Sequence, residues 1–408
     1  MREMKDSGIE WIGEIPKNWN LTKIGMLYNL RNIKVSDSDY PPLSVTKMGI
    51  LPQLENVAKT NAHDDRKLVK VGDFVINSRS DRRGSCGISD YDGSASLINT
   101  VLTPNAYMHS GYYGWLFKTA EFADEFYKNG HGIVDDLWTT GWQEMKRIVL
   151  PVPSLNQQCY ISDYLDSKCS EIDATSEEIQ KQISILEDYK KSVITEAVTK
   201  GLNPNVEMKD SGVEWIGEIP KDWNLTKIGM LYQQRKTKVS DCDYQPLSVT
   251  KMGVLPQLDN VAKTNAHDDR KLVKAGDFVI NSRSDRRGSC GISDYDGSVS
   301  LINTVLIPMS YMHPGYYGWL FKTAEFADEF YRNGHGIVDD LWTTGWQDMK
   351  RIVLPVPSLN QQCYISDYLD SKCSEIDSLI SEKKQQLDVL AEYKKSLIYE
   401  YVTGKKEV

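Results

Sequence analysis

The amino-acid sequence is written twice. Met4 matches Met208, Trp11 matches Trp215, Arg79 matches Arg283, Pro151 matches Pro355 and Tyr189 matches Tyr393, an offset of 204 with no insertion. Between Leu43 and Thr100 only four of 58 positions differ from their counterparts: Ile50/Val254, Glu55/Asp259, Val71/Ala275 and Ala95/Val299. Two such copies must fold alike and expose the same chemistry. Variation gathers instead in Asn29 to Pro42 against Gln233 to Pro246, and in Thr103 to Ser110 against Ile307 to Pro314. A fold for this chain is therefore a fold for half of it, used twice.

Each copy closes on a long helical run. In the first, Leu165, Ile172, Ile179, Leu186 and Val193 recur every seven residues, with Ile161, Cys169 and Ile183 between them. That spacing is the seam of a coiled coil. The second run keeps Leu369, Ile376, Leu390 and Leu397 on the seam, with Ile380 and Leu387 between, and places Lys383 at one seam position. Ser154 and Ser358, each three residues before a glutamine (Gln157, Gln361) and directly after a proline, spell a capping box at the helix start. Gly201 and Gly404 stop the runs. At 1.5 Å per residue each helix spans roughly 65–70 Å, suited to pairing with its copy rather than to burial in one globule. The expected organisation is a globular module at 1–153, a central spacer helix at 154–200, a linker at 201–206, a second module at 207–357 and a distal spacer helix at 358–404. The fold class is α+β.

With 40% apolar and 26% charged residues, the chain has the composition of a soluble globular protein. No stretch approaches the roughly 18 apolar residues of a membrane span, and Met1 to Glu10 is charged, so a cytoplasmic location is expected. Seven cysteines without Cys-x-x-Cys spacing read as free thiols. The net charge of −9 argues against a nucleic-acid partner until it is divided. Residues 1–153 carry 18 basic and 19 acidic side chains and 207–357 carry 18 and 20, whereas 154–206 carry 5 and 9 and 358–408 carry 7 and 9. The acidity sits on the helical arms, and the nearly neutral modules are free to carry a local basic face.

Within a module, Trp11, Ile12, Ile15 and Trp19, interrupted by Gly13 and Pro16, read as a docked irregular segment with core tryptophans. Leu43 to Val45, Asp73 to Asn77 and Ser96 to Leu102 read as strands, and Trp115 to Tyr127 as one helix ended by Gly130. Between two strands lies the most basic loop: Asn77, Ser78, Arg79, Ser80, Asp81, Arg82, Arg83 and Ser85, repeated as Asn281, Ser282, Arg283, Ser284, Asp285, Arg286, Arg287 and Ser289. Arginine forks onto guanine or phosphate, asparagine onto adenine, and serine meets either, so this residue set suits base-edge reading. A solvated hairpin with internal Arg–Asp pairs is the bland alternative. Tyr112, Tyr113 and Lys118 are accessory candidates.

Catalytic motifs are sparse. There is no phosphate-binding Gly-x-x-x-x-Gly-Lys-Ser/Thr loop and no methyl-donor motif. One pattern, Asp135 or Asp136 with Glu144 and Lys146, repeated as Asp339 or Asp340 with Asp348 and Lys350, could hold magnesium and activate water as a nuclease. His63, His109 and His131 lack metal-ligand spacing. A coiled-coil scaffold without DNA contact is the other alternative.

The junction Gly201 to Leu225 (GLNPNVEMKDSGVEWIGEIPKDWNL), the loop Gly72 to Ser89 (GDFVINSRSDRRGSCGIS) and the helix entry Pro151 to Gln158 (PVPSLNQQ) together resemble the specificity subunit of type I restriction–modification systems, over essentially the whole chain. The resemblance implies two α/β target-recognition domains separated by two long antiparallel helices in a pseudo-two-fold arrangement. It further implies a non-catalytic subunit that reads a bipartite target on double-stranded DNA and recruits two methyltransferase subunits and, for cleavage, restriction subunits. S-adenosylmethionine, ATP and magnesium would then belong to those partners, with no cofactor or metal on this chain. Two features depart from the family: the helix entry carries Gln157-Gln158 where Glu-Gln is usual, and the two modules are nearly identical where they commonly differ.

Overall fold

A computed structural model describes residues 2–54, 65–132, 138–258, 269–336 and 342–408. The chain divides into two compact units, Met1–Gln180 with Gln385–Val408, and Lys181–Lys384. Each unit contains one globular module and a stretch of both long helices.

In the first module a four-stranded antiparallel sheet runs in the order Cys86–Ile88, Phe74–Asn77, Asn99–Pro104, Tyr28–Leu30. The unbroken apolar run Phe74, Val75, Ile76 is buried on both faces. Phe74 and Ile76 join a large core with Tyr28, Leu102, Phe117 and Phe122, while Val75 joins a smaller one with Leu43, Val69 and Val101. Alternate side chains of a strand point to opposite faces, and here neither face meets water. The hairpin Leu43–Thr46/Gly49–Pro52 covers the small core, and Met4–Asp6 pairs with Glu14–Pro16 to dock the N-terminal segment. Trp11 and Trp19 are buried there, as core residues should be. The second module repeats these pairings strand for strand.

Three local expectations are corrected. The run Trp115 to Tyr127 is two helices, Ser110–Phe117 and Ala120–Lys128, because the Thr119 side chain accepts from the Phe122 amide and starts a new helix. The apolar spacing continues across the break because both helices bury onto one core. The third strand begins later than expected, at Asn99; Ser96 to Ile98 form a tight turn closed by the Asn99 amide on the Ser96 carbonyl. Tyr112 and Tyr113, accessory contact candidates in the sequence, are fully buried.

The long helices span Leu155–Lys200 and Leu359–Val402. Their capping boxes are formed reciprocally. The Ser154 amide donates to Gln157 Oε1 at 3.3 Å and the Gln157 amide to Ser154 Oγ at 3.4 Å, with 3.0 and 3.3 Å for Ser358 and Gln361. Gly201 and Gly404 take φ of +77° and +74°, the left-handed conformation that ends a helix. In the first unit Tyr164 stacks beside Tyr401 and Lys394 pairs with Asp173 at 2.6 Å, so the partner number falls as the central helix advances. The second unit repeats this with roles exchanged: Lys190 pairs with Asp377 at 2.6 Å, and Lys383 Nζ donates to Gln182 Oε1 at 2.6 Å. Both pairings are antiparallel. Seam residues Ile161, Leu165, Cys169, Ile172 and Ile183 are buried, as are Leu369, Ile376, Ile380 and Leu397. Full burial of such aliphatic side chains contributes about 1.5–3 kcal/mol each. Lys383 therefore interrupts the apolar seam with a polar contact rather than with a void.

Candidate nucleic-acid interface

Strand Phe74–Asn77 delivers the chain into the basic loop, and the loop is tied down before it reaches its arginines. The Asn77 side chain accepts from the Arg79 amide at 3.0 Å, and the Asn77 amide donates to the Ser85 carbonyl at 2.9 Å, closing the loop's neck. Ser78 Oγ lies 3.0 Å from Thr100 Oγ1, and the Tyr127 hydroxyl donates to the Asn77 carbonyl. Asn77, Ser78 and Ser85 are buried. Asn77 and Ser78 hold the loop with side-chain bonds and Ser85 holds it with its backbone.

What the loop presents is a single 3-10 turn, Ser80–Arg82, anchored by the Ser80 amide on the Trp138 carbonyl at 3.0 Å. Arg79 and Ser80 are half-buried; Asp81, Arg82 and Arg83 are exposed. Asp81 sits between two guanidinium groups, 3.7 Å from Arg79 and 3.7 Å from Arg82, and Arg83 pairs with Asp124. The second module repeats the arrangement. Asn281, Ser282 and Ser289 are buried, Ser284 is half-buried, Asp285 lies 3.3 Å from Arg283 and 3.7 Å from Arg286, and Arg287 pairs with Asp328. Ion pairs this exposed are worth about 0–1 kcal/mol, so an incoming phosphate or base edge displaces them at little cost.

Beside the loop lies a cleft of about 520 Å³ whose walls include Leu30, Lys67, Arg79, Leu97, Ile98 and Trp142. Leu97 and Ile98 are 40% and 43% exposed, at the turn whose Ile98 carbonyl accepts from the Ser78 amide. Lys67 is turned inward, its ammonium donating to the Asn99 carbonyl at 2.7 Å, and burial lowers its pKa. An apolar cleft rimmed by an arginine loop was not anticipated from the loop alone. The signal for it lay in the variable stretch from Asn29, which contains Leu30.

The loop is held in place from outside as well. Arg31 grips the buried Asp73 with two hydrogen bonds of 2.6 and 2.9 Å, fixing the strand that leads into the loop, and Arg235 holds Asp277 in the same way. The pair raises the pKa of both arginines. Lys118 stands over the Trp115 ring at 5.4 Å. Of the nuclease-like pattern, Glu144 and Lys146 are half-buried around the short helix Trp142–Met145. Asp135, Asp136, Asp339, Asp340 and His63 lie outside the described residues. Among the described residues no helix is long and apolar enough to cross a membrane.

Two matched sheet modules, each packed on antiparallel stretches of two long capped helices, define the fold of a type I specificity subunit. The chain is 24% identical to the type I restriction enzyme MjaX specificity subunit described for Methanocaldococcus jannaschii, across 97% of its length and 96% of that protein. It is also 24% identical to the MjaVIII specificity subunit of the same organism, across 64% of its length and 63% of that protein. Among solved structures it superposes on a chain from a study of assembly and conformational transition in the type I R-M system, with a TM-score of 0.71 at 11% identity, covering 96% of this chain and 99% of that one. It also superposes on the HsdS subunit from Thermoanaerobacter tengcongensis, with a TM-score of 0.55 at 13% identity, covering 96% and 98%. No family model matches the sequence. The chain is thus similar along nearly its whole length to type I specificity subunits, and it has their fold.

Proposed function

We propose that this chain is the DNA-recognition subunit of a type I restriction–modification complex, with 1–153 and 207–357 acting as its target-recognition domains. The observation that carries the proposal is the 3-10 turn with exposed Arg82, flanked by Arg79 and Arg83, beside an apolar cleft; the loop recurs whole in the second module, as do five of the six cleft residues named above. Like loops select like bases, so the target is bipartite, with two half-sites of one kind in inverted order. Arg79, half-buried next to the cleft, and its half-buried counterpart Arg283 read base edges; Arg82 and Arg286, further out, meet phosphate. The chain carries no catalysis of its own. Two methyltransferase subunits that modify adenine, and restriction subunits where cleavage occurs, bring S-adenosylmethionine, ATP and magnesium. They dock on the helices, where exposed Glu177 and Glu187 would repel DNA.

Mapping of methylated adenines in cells carrying the chain and its methyltransferase tests this reading. Two like, inverted half-sites are expected. Arg79→Ala with Arg283→Ala should relax one position in each half-site, costing about 1–3 kcal/mol there. Unchanged binding and unchanged preference in that variant would remove the loop from the interface.

A further inference from the structure

The six named cleft positions match between the two modules with one exception. Lys67, Arg79, Leu97, Ile98 and Trp142 have identical counterparts in Lys271, Arg283, Leu301, Ile302 and Trp346. Leu301 and Ile302 are exposed to the same extent as Leu97 and Ile98. Only Leu30 changes, to Gln234. The exchange is made without moving the backbone register: Leu30 stands opposite Leu102, and Gln234 opposite Leu306, at the ends of equivalent edge strands.

The two side chains offer different chemistry to the same place. Leu30, 38% exposed, presents only methyl groups at the cleft wall. The one apolar group on a base edge in the major groove is the 5-methyl of thymine. Gln234 is half-buried, and its amide makes no hydrogen bond among the described residues. A free donor and acceptor on one carboxamide match N6 and N7 of adenine. We infer that position 30/234 reads one base in each half-site, thymine at Leu30 and adenine at Gln234, so that two otherwise like half-sites differ at this position. The inference rests on the DNA-reading role proposed above.

Selection of bound duplexes from a random library with the full-length chain and its methyltransferase partner tests it. Leu30→Gln and Gln234→Leu each install a residue that the other module already carries at the same register, so both variants keep the fold. The wild type should enrich half-sites that differ at one matched position, thymine against adenine. Leu30→Gln should give adenine in both, and Gln234→Leu thymine in both. Deoxyuridine in place of that thymine removes only the methyl; it should weaken wild-type binding about fourfold and leave Leu30→Gln indifferent. Identical enriched sequences from all three proteins, or half-sites that agree at the matched position in the wild type, would overturn the inference and leave the DNA-reading role standing. If no protein enriches any sequence, that role falls and this inference falls with it.

Discussion

The Tyr112 hydroxyl donates a 2.7 Å hydrogen bond to the carbonyl of Val402, 290 residues further along the chain. Both groups are buried, and the bond joins the helix Ser110–Phe117 to the last turn of the distal helix. Tyr316 makes the same bond to Val198, at 2.8 Å, in the other unit. Tyr112→Phe keeps the ring and leaves the carbonyl without this donor, so a loss of about 1–3 kcal/mol is expected, seen as a lower urea midpoint. Tyr316→Phe should add to it, because the two bonds lie in different units. An unchanged midpoint in the double variant would mean that the helix end is held by other groups.

Arg82 and Arg286 are the outermost cations of the loops, each with a side chain 68% exposed. Their removal should weaken binding to target and unrelated duplexes by the same factor. The salt dependence of log K should flatten by about 0.9 for each phosphate that is no longer neutralised. A weakening confined to the target sequence would show that these arginines touch bases.

Lys383 interrupts an apolar seam and meets Gln182 there. A lone polar residue on such a seam fixes the register of pairing at some loss of stability. Lys383→Leu should therefore raise the melting temperature while allowing the helices to slip, readable as extra products when engineered cysteine pairs along the seam are cross-linked. A lower melting temperature with a single cross-linked product would contradict this.

The thiols should react in an order set by burial. Cys242 is exposed and Cys159 and Cys363 are half-buried. Burial pushes Cys86 and Cys290 up to about 12 and Cys169 up to about 11, and raises Cys373. At pH 8 a thiol with a pKa of 12 is thiolate on the order of once in ten thousand molecules. An aromatic disulfide reagent at pH 8 should label Cys242 first, then Cys159 and Cys363, and should reach the other four only after urea is added. Early labelling of Cys86 would mean that the sheet core opens readily.

The sequence carried local signals well and distant ones poorly. Ser154 and Gln157 sit three residues apart, and their reciprocal bonds were legible from spacing alone. The heptad seam was legible for the same reason, since a repeat of seven is a statement about one helix. Arg31 and Asp73 are 42 residues apart, and nothing local marks them as partners. Tyr112 and Tyr113 read from the sequence as accessory contact candidates, and only the packing of Trp19 and Phe117 against them shows that they are core. The basic loop was found by composition, but composition does not say which polar groups face inward. Asn77, Ser78 and Ser85 are buried and help to shape the turn, so the fully exposed part of the stretch is Asp81, Arg82 and Arg83.

Because Met1–Gln180 is completed by Gln385–Val408, the unit whose residues are made first is the second to be finished. On the ribosome, Lys181–Lys384 is synthesised in full before the strand of chain that closes its predecessor has emerged. At about 5–20 residues per second the earlier unit waits roughly 10–40 s with Leu165 and Tyr112 lacking their partners from the distal helix. During that interval its apolar surface is open to a chaperone or to the arm of another nascent copy, and the order of synthesis, rather than the strength of any one contact, sets when this protein is most vulnerable to misassembly.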